Sequence, residues 1–494
     1  MAIDFSLVPG SAVASAVFVE QAYKRSGVGG LKLPQRVALL GQYNSGKTPT
    51  ENKPLAISSA DEAASYFGLG SQLHLMAVAL FAGIGSGGVK VDAFPLAAGV
   101  GASTGTIVVS GPATGAGTIA LYIAGKRVPV AVASGTSAND IATAIAAAIG
   151  AKPELPVSAS ANAATVTLTA KWAGLSANDI SIRKDLGSGE SSSEPAGVGL
   201  TLNAMSGGSS DPAITTALTA FNATYYTWVV CPYNADTSLD ELEAAGAARI
   251  DPAVKKPFIG VVGYTGTRTD YLSWLGSRNS PWSVAMPVEG SPNHPAEIAA
   301  AVVGVCSRSA EADPARPFRT LALPGILPGT GADWTWAQKD AVEQAGGSTY
   351  MTLASGEVGI YDLLTTYVTN ALGAVDESWR YAETVSNVQA KIYSLDQLFL
   401  SAPFDRAVVV DDAAITAKEY AVSPKRVKAF VISLVDSLWI PEGWSKDRDA
   451  IVAGIQAEID SSNAGRINVL VPDVISAGLR IVAVKYQWSF AAAQ

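Results

Sequence analysis

One compositional break constrains this chain more than any other feature. From Leu96 to Gly208 the sequence is mostly Ala, Gly, Ser and Thr with Val and Ile, and its only aromatic residues are Tyr122 and Trp172. On both sides of this stretch, short apolar runs alternate with helical segments, which is an α/β pattern. A pattern that resumes after so long an interruption implies an insertion. The expected fold is therefore α/β and α+β multidomain. It has a discontinuous α/β core domain over 23–95 and 209–370, with an inserted, mainly β domain over 96–208 on its periphery. Residues 1–22 form an N-terminal arm, and 371–494 form a C-terminal α+β domain ending in a second arm. At 494 residues the chain has material for about three domains.

In the core, strands are expected at Arg36–Leu40, Val89–Phe94, Tyr226–Cys231 and Phe258–Tyr264. Helices are expected at Asp61–Phe67, Gln72–Gly83 and Pro295–Ser309. Ser238–Arg249 predicts another helix, with Ser238 as N-cap and Glu241 three residues on, a capping box. Phe318–Leu323 suggests a strand. The insertion predicts strands at Thr106–Val109, Thr118–Ile123, Arg127–Val132, Thr165–Ala170 and Asp179–Arg183, and a helix at Asn139–Ile149. Its exit, Gly187–Gly199 and Ser206–Ser210, has a flexible composition. C-terminal helices are expected near Asp376–Phe399, Pro424–Leu438 and Lys446–Ser461, followed by strands at Arg466–Val471 and Leu479–Phe490.

Composition narrows the chemistry. Hydrophobic residues are 48% of the chain, which argues against wholesale disorder. Charged residues are only 16%, below the usual quarter or so, as for a surface largely covered by partners. A net charge of −9 argues against a general nucleic-acid coat. Two histidines exclude a His-rich metal site, and two cysteines exclude a zinc finger or a disulfide scaffold. The start, Met-Ala-Ile-Asp-Phe, lacks a basic region, so no signal peptide is expected. The longest apolar runs are too short to span a bilayer.

Two motifs mimic nucleotide sites. Gly41–Thr48 matches G-x-x-x-x-G-K-[ST] after a strand, but a phosphate cradle needs a helix to begin at the Lys. Pro49 follows at once and Pro54 soon after, so a polar loop leaving the strand is expected. A nucleotide-binding enzyme is the competing reading, and an adhesin-like module built on the insertion is a third. Gly83–Gly88 fits G-x-G-x-x-G, but a helix precedes it and a strand follows, the reverse of a dinucleotide fingerprint. A helix stop and tight turn are expected there. His74 lies in an apolar helix and His294 sits before a helix between prolines; packing and helix capping are the expected roles. Asp411-Asp412 is expected at a solvated helix start. Cys231 and Cys306 are expected to be buried thiols; a disulfide is the alternative in an oxidising medium.

From Leu479 to Phe490 the side chains alternate. Val482, Val484, Tyr486, Trp488 and Phe490 share one face, with Ala483, Lys485, Gln487 and Ser489 on the other. Such a face must be covered. The weaker N-terminal arm carries Val13, Val17, Phe18 and Val19. Two free strands are an aggregation liability unless they serve strand addition.

Several segments together resemble the contractile tail sheath proteins of Mu-like phages. They are Gln35–Gln42, Ser58–Ala63, Phe67–Met76, Tyr226–Tyr233, Asp313–Gly325 and Thr365–Asp376, with Leu121–Val128 similar to the family's insertion. The sequence departs from the family at Pro403–Arg406, where a basic stretch is usual. The resemblance implies a structural subunit, not an enzyme, with no cofactor and no metal. Such subunits stack as hexameric rings wound into a helical sleeve around a tail tube. Contraction of the sleeve drives the tube through the host envelope. The implied partners are further copies of the chain, the tube protein, and baseplate and tail terminator proteins, with no nucleic acid and no membrane insertion. The implied place is the virion tail, assembled in the host cytoplasm. The arms would add strands to neighbouring C-terminal domains. The basic start of the Pro424–Leu438 helix, with Lys425, Arg426 and Lys428, is the candidate tube contact. Cys231 and Cys306 could cross-link subunits.

Overall fold

The structure, a computed structural model, describes residues 32–184, 194–414, 418 and 420–488. Val13, Val17, Phe18, Val19 and Phe490 lie outside the described residues.

Six strands form the central sheet, in the order Ser283–Pro287, Ile259–Tyr264, Trp228–Val230, Arg36–Gln42, Lys90–Leu96, Leu55–Ile57. All pair in parallel except the last, which runs antiparallel to Lys90–Leu96. The strands are buried almost throughout, as a parallel sheet covered on both faces requires. Two glycines of one strand show how the covering is achieved. A Cβ on Gly260 would strike Leu242 of the Asp236–Arg249 helix, and one on Gly263 would strike the Pro295 backbone of the Pro295–Ala312 helix. Three residues apart on a strand, they face opposite sides, so each lets a helix close in on its own face.

The Gln72–Ile84 helix lies against Pro295–Ala312. At their contact a Cβ on Gly83 would sit 2.8 Å from the Val305 nitrogen and 2.9 Å from the Gly304 carbonyl carbon. Gly85, with φ of 59°, caps the first helix through the Phe81 carbonyl. The glycine run at 83–88 thus serves a helix stop, and additionally a close helix–helix approach.

The described residues between 102 and 206 build two antiparallel sheets. One has the order Gly199–Ser206, Ala102–Ser110, Thr165–Ala173, Val157–Asn162; the other has Lys126–Val132, Gly117–Ile123, Ile182–Arg183. Burial alternates along Ala102–Ser110, and the Ala138–Gly150 helix joins the same apolar cluster. Leu75, from the Gln72–Ile84 helix, is buried in that cluster too. The C-terminal part holds the Ala382–Leu400, Pro424–Leu434 and Arg448–Gly454 helices, a parallel pair Val408–Val409 with Ala421–Val422, and a hairpin Gln456–Ile459 with Ile467–Leu470.

Several expectations need correction. Ser238 is not an N-cap: the helix begins at Asp236, after Ala235. Glu241 instead accepts from the Ile214 and Thr215 amides (2.6 and 2.9 Å), capping the neighbouring Thr215–Thr219 helix. The Lys446–Ser461 helix ends at Gly454, because the following residues pair in the hairpin. Asp376 does not open a helix. Its carboxylate accepts from the Tyr367 hydroxyl and the Ser378 amide, and the helix waits until Ala382. Phe318–Leu323 exchanges hydrogen bonds with Val358–Asp362 but is broken as a strand by Thr320, whose φ is +59°. Gly199–Ser206, the segment between the two flexible stretches expected at the exit, is a strand paired with Ala102–Ser110. The link after it is tied down as well, since Asn178 bonds both the N–H and the C=O of Gly208.

Candidate assembly surface

The carboxyl end of a parallel sheet is the usual place for a ligand, and the motif at Gly41–Thr48 leaves the sheet there. The structure fills this place with its own chain. Gln42 donates to the Ala173 carbonyl (2.8 Å) and accepts from the Gly99 amide (3.0 Å). Gln72 donates to Ser176 (3.3 Å), whose hydroxyl in turn donates to Asp211 (2.8 Å). No helix begins at Lys47. Its ammonium donates to the Ser65 carbonyl at 2.7 Å, and the next regular element is the strand Leu55–Ile57.

The histidines belong to the same seam. His294 caps the Pro295–Ala312 helix: Nδ1 accepts from the Ala296 amide (3.1 Å), while Glu297 accepts from the His294 amide in a capping box. Nε2 donates to the Ser176 carbonyl at 2.8 Å, and the ring meets Trp172 edge-on. His74 Nδ1 accepts from the Gly70 amide. Burial pushes the His294 imidazole down to about 4. Burial, with the Lys126 and Lys171 charges, does the same for His74.

A pH dependence follows. The unfolded histidine takes its proton near 6.5, the folded His294 only near 4, so the unfolded chain binds more protons in that window. Stability therefore falls as pH drops from 6.5 to 4, by about 3 kcal/mol for His294. Asp179, raised to about 6 by burial and by the Asp211 charge, acts in the opposite direction. The comparison that isolates His294 is His294→Asn, which keeps an N-cap acceptor. Its melting temperature is expected to fall less between pH 6.5 and 4 than that of the parent; equal slopes would reject the assignment.

Cys231 and Cys306 are free and fully buried. Burial raises both thiols, Cys231 to about 12. A cross-link between subunits would need these thiols at the surface, and both are 0% exposed within the chain. Asp412 accepts from the Lys425 amide at 2.8 Å, at the start of the Pro424–Leu434 helix. Among the described residues no cluster of His, Cys, Asp and Glu could hold a metal ion, and no helix is long and apolar enough to cross a membrane.

The candidate tube-contact residues do not form one free patch. Arg426 donates to the Ala421 carbonyl (2.6 Å) and Lys428 to the Ile455 carbonyl (2.7 Å). Lys425 is the exposed one.

The strongest surface signal is the C-terminal arm. Among the described residues 479–488 form no strand within the subunit, which corrects the strand expected there. Ile481 is 84% exposed, Tyr486 82% and Trp488 67%, with Val482 and Val484 exposed as well. Beside the C-terminal hairpin lies an apolar groove of 410 Å³, lined by Phe399, Phe404, Val409, Val422, Ile467 and Val469.

The root of the arm is held firmly. Lys391 pairs with Asp473 (2.5 Å) and donates to the Trp444 carbonyl and the Ser445 hydroxyl. Seven residues later Arg480 pairs with Glu383 and lies 3.3 Å from Asp362, an ionic contact rather than an aligned hydrogen bond. Its guanidinium carbon sits 3.4 Å from the Tyr381 ring centroid. Arg319 also reaches Asp362 (3.3 Å) and donates to the Leu479 and Arg480 carbonyls (3.5 and 3.4 Å). Sequence reasoning missed this cluster. Its only local trace is an arginine at the start of an otherwise apolar alternation.

Residues 207–366 match the family described as phage tail sheath protein central domain. Over 489 residues the chain is 27% identical to the Mu-like prophage FluMu tail sheath protein of Haemophilus influenzae, an alignment covering 99% of this chain and all of that one. Among solved structures, the sheath tail protein of Desulfitobacterium hafniense is 12% identical, with a TM-score of 0.48, covering 93% of this chain and 100% of that one. The helical sheath of the anti-feeding prophage in its contracted state is 12% identical, with a TM-score of 0.48, covering 96% and 99%.

Proposed function

We infer that this chain is a member of the phage tail sheath family, which its similarities support, and that it joins its neighbours through the exposed C-terminal arm. Its function is that of a structural subunit of a contractile tail sheath, the sleeve that contracts to drive a tube through the host envelope. The observation that carries the arm reading is the segment 481–486, whose Ile481, Val482, Val484 and Tyr486 side chains are exposed in their own subunit. Beside the hairpin, the groove lined by Phe399, Val422 and Ile467 is an apolar surface against which a neighbour's arm can lay its Val and aromatic side chains. Donation from each subunit to the next is a heterologous contact, which generates open helical assemblies rather than closed pairs. Hexameric rings, a tail tube within, and baseplate and terminator proteins at the ends complete the proposed assembly, built in the host cytoplasm. Negative-stain microscopy of the purified full chain tests the reading: rings or sleeves are expected, and monodisperse particles at all concentrations would overturn it.

Lys425 remains the proposed tube contact, because Arg426 and Lys428 are engaged within the subunit. Lys425→Glu is expected to weaken co-assembly with the tube protein, most visibly at low salt. Unchanged co-assembly would reject the contact.

The inserted domain is proposed to be dispensable for polymerisation. Leu96 ends a core strand and is buried, so the useful cut lies further on. Val100 and Ser210 are bridged, with the Val100 amide 2.8 Å from the Ser210 carbonyl, so a short linker can close the gap. Replacing 101–209 by Gly and Ser would hydrate Gln42, Gln72 and His294 rather than orphan them. It would also expose Leu75. The shortened chain is expected to melt several degrees lower and still form sleeves; loss of all soluble folded protein would show that the insertion is part of the core.

A further inference from the structure

We propose that Arg480 is a positioning residue for assembly: seated between Asp362 and Glu383, it fixes where and in which direction the C-terminal arm leaves its subunit, so that the apolar segment beyond it meets a second copy of the chain already oriented. The proposal rests on the reading that this arm joins subunits.

Asp362 ends the Val358–Asp362 strand, Tyr381 caps the Ala382–Leu400 helix, and Glu383 lies in that helix's first turn. Both carboxylates are buried. Arg319 shares Asp362, whereas the ion pair seen at Glu383 is with Arg480 alone among the described residues. Holding a fold together this way is costly, since apolar residues of similar volume stabilise as well or better. What the ionic socket adds is direction. A guanidinium is a planar fork, and here its Nε lies toward Asp362 and its Nη2 toward Glu383 while its face stacks on Tyr381. Arg319 pins the backbone on either side through the Leu479 and Arg480 carbonyls. Orientation is over-determined at residue 480, and at the next residue, Ile481, the side chain is almost fully exposed. An arm aimed in this way loses less freedom when it docks than one swinging from a loose root.

Because Arg480→Ala leaves Glu383 buried without its cation, the test uses the double variant Glu383→Gln, Arg480→Leu, which removes both charges and keeps the packing. It is made in the full chain. The concentration at which sleeves form, measured by sedimentation, is expected to rise about tenfold while the melt stays cooperative. Spin labels on Ala337→Cys and Val484→Cys, read below the assembly concentration, are expected to show one narrow distance in the parent and a broad distribution in the double variant. The native thiols are buried and do not compete for label. Arg480→Lys keeps the charge without the fork and is expected to fall between the two. Sleeves at the parent's concentration, or an unbroadened distance, from the double variant would overturn the clasp. Sleeves from a chain ending at Arg480 would instead overturn the arm itself, so the two failures are distinguishable.

Discussion

A chain ending at Arg480 is expected to fold and to form no sleeves. The truncation keeps the Arg480 socket, and the described residues it removes, 481–488, have exposed side chains, among them Val482, Val484, Tyr486 and Trp488. The melting temperature of the unassembled subunit should therefore be nearly unchanged. Assembly should not survive. In an extended arm those residues share a face, and burying each is worth roughly 1.5–3 kcal/mol. Main-chain hydrogen bonds of an added strand contribute further. The opposing term is ordering, about 1–2 kcal/mol per residue. The surplus per arm is small, but every subunit contributes one, so its loss acts at every contact of the polymer. Sedimentation and microscopy of the truncated chain, beside a thermal melt, decide the matter. Normal sleeves would defeat strand donation, and a collapsed melt would show that the arm stabilises its own subunit.

Gly304→Ala is expected to be among the most damaging single methyl additions in the core. A Cβ there would run into the Leu80 carbonyl oxygen and lie 3.0 Å from the Gly83 Cα. Those obstacles are backbone, and both helices are committed to the sheet beneath, so neither can yield by rotating a side chain. Overpacking of this kind costs about 1–3 kcal/mol or more. At about 2–4 °C per kcal/mol for a cooperative unit of roughly 150–250 residues, the melting temperature of the unit holding these helices should fall on the order of 5–10 °C, with loss of soluble protein as the extreme. Gly331→Ala, where an added Cβ meets nothing within 4 Å, is the control and should leave the melt unchanged. An equal response from the two variants would mean that the Gly83–Gly304 approach is not what holds these helices together.

By itself the sequence determined what repeats locally. Runs such as Arg36–Leu40 and Phe258–Tyr264 are apolar on both faces because a covered parallel strand has no wet side. The Pro295–Ser309 helix was legible from its apolar length and its proline start. The change in composition after Leu96 was legible, and the strands beyond it pair in antiparallel sheets of their own. The C-terminal alternation pointed to an arm that must be covered. The tertiary structure decided whatever depends on residues far apart in the chain. Glu241, spaced to cap its own helix, caps another because folding brings the Ile214 amide to 2.6 Å from its carboxylate. The end of Lys446–Ser461 becomes a strand because Ile467–Leu470 is there to pair with it. Gln42 serves the inserted segment rather than a phosphate because Ala173 occupies the end of the sheet. Arg480 and Glu383, 97 positions apart, carry no shared periodicity, and only folding brings a buried acid to the root of the arm. Periodicity reports which side of an element is dry; it does not say which distant partner a polar or charged group will meet.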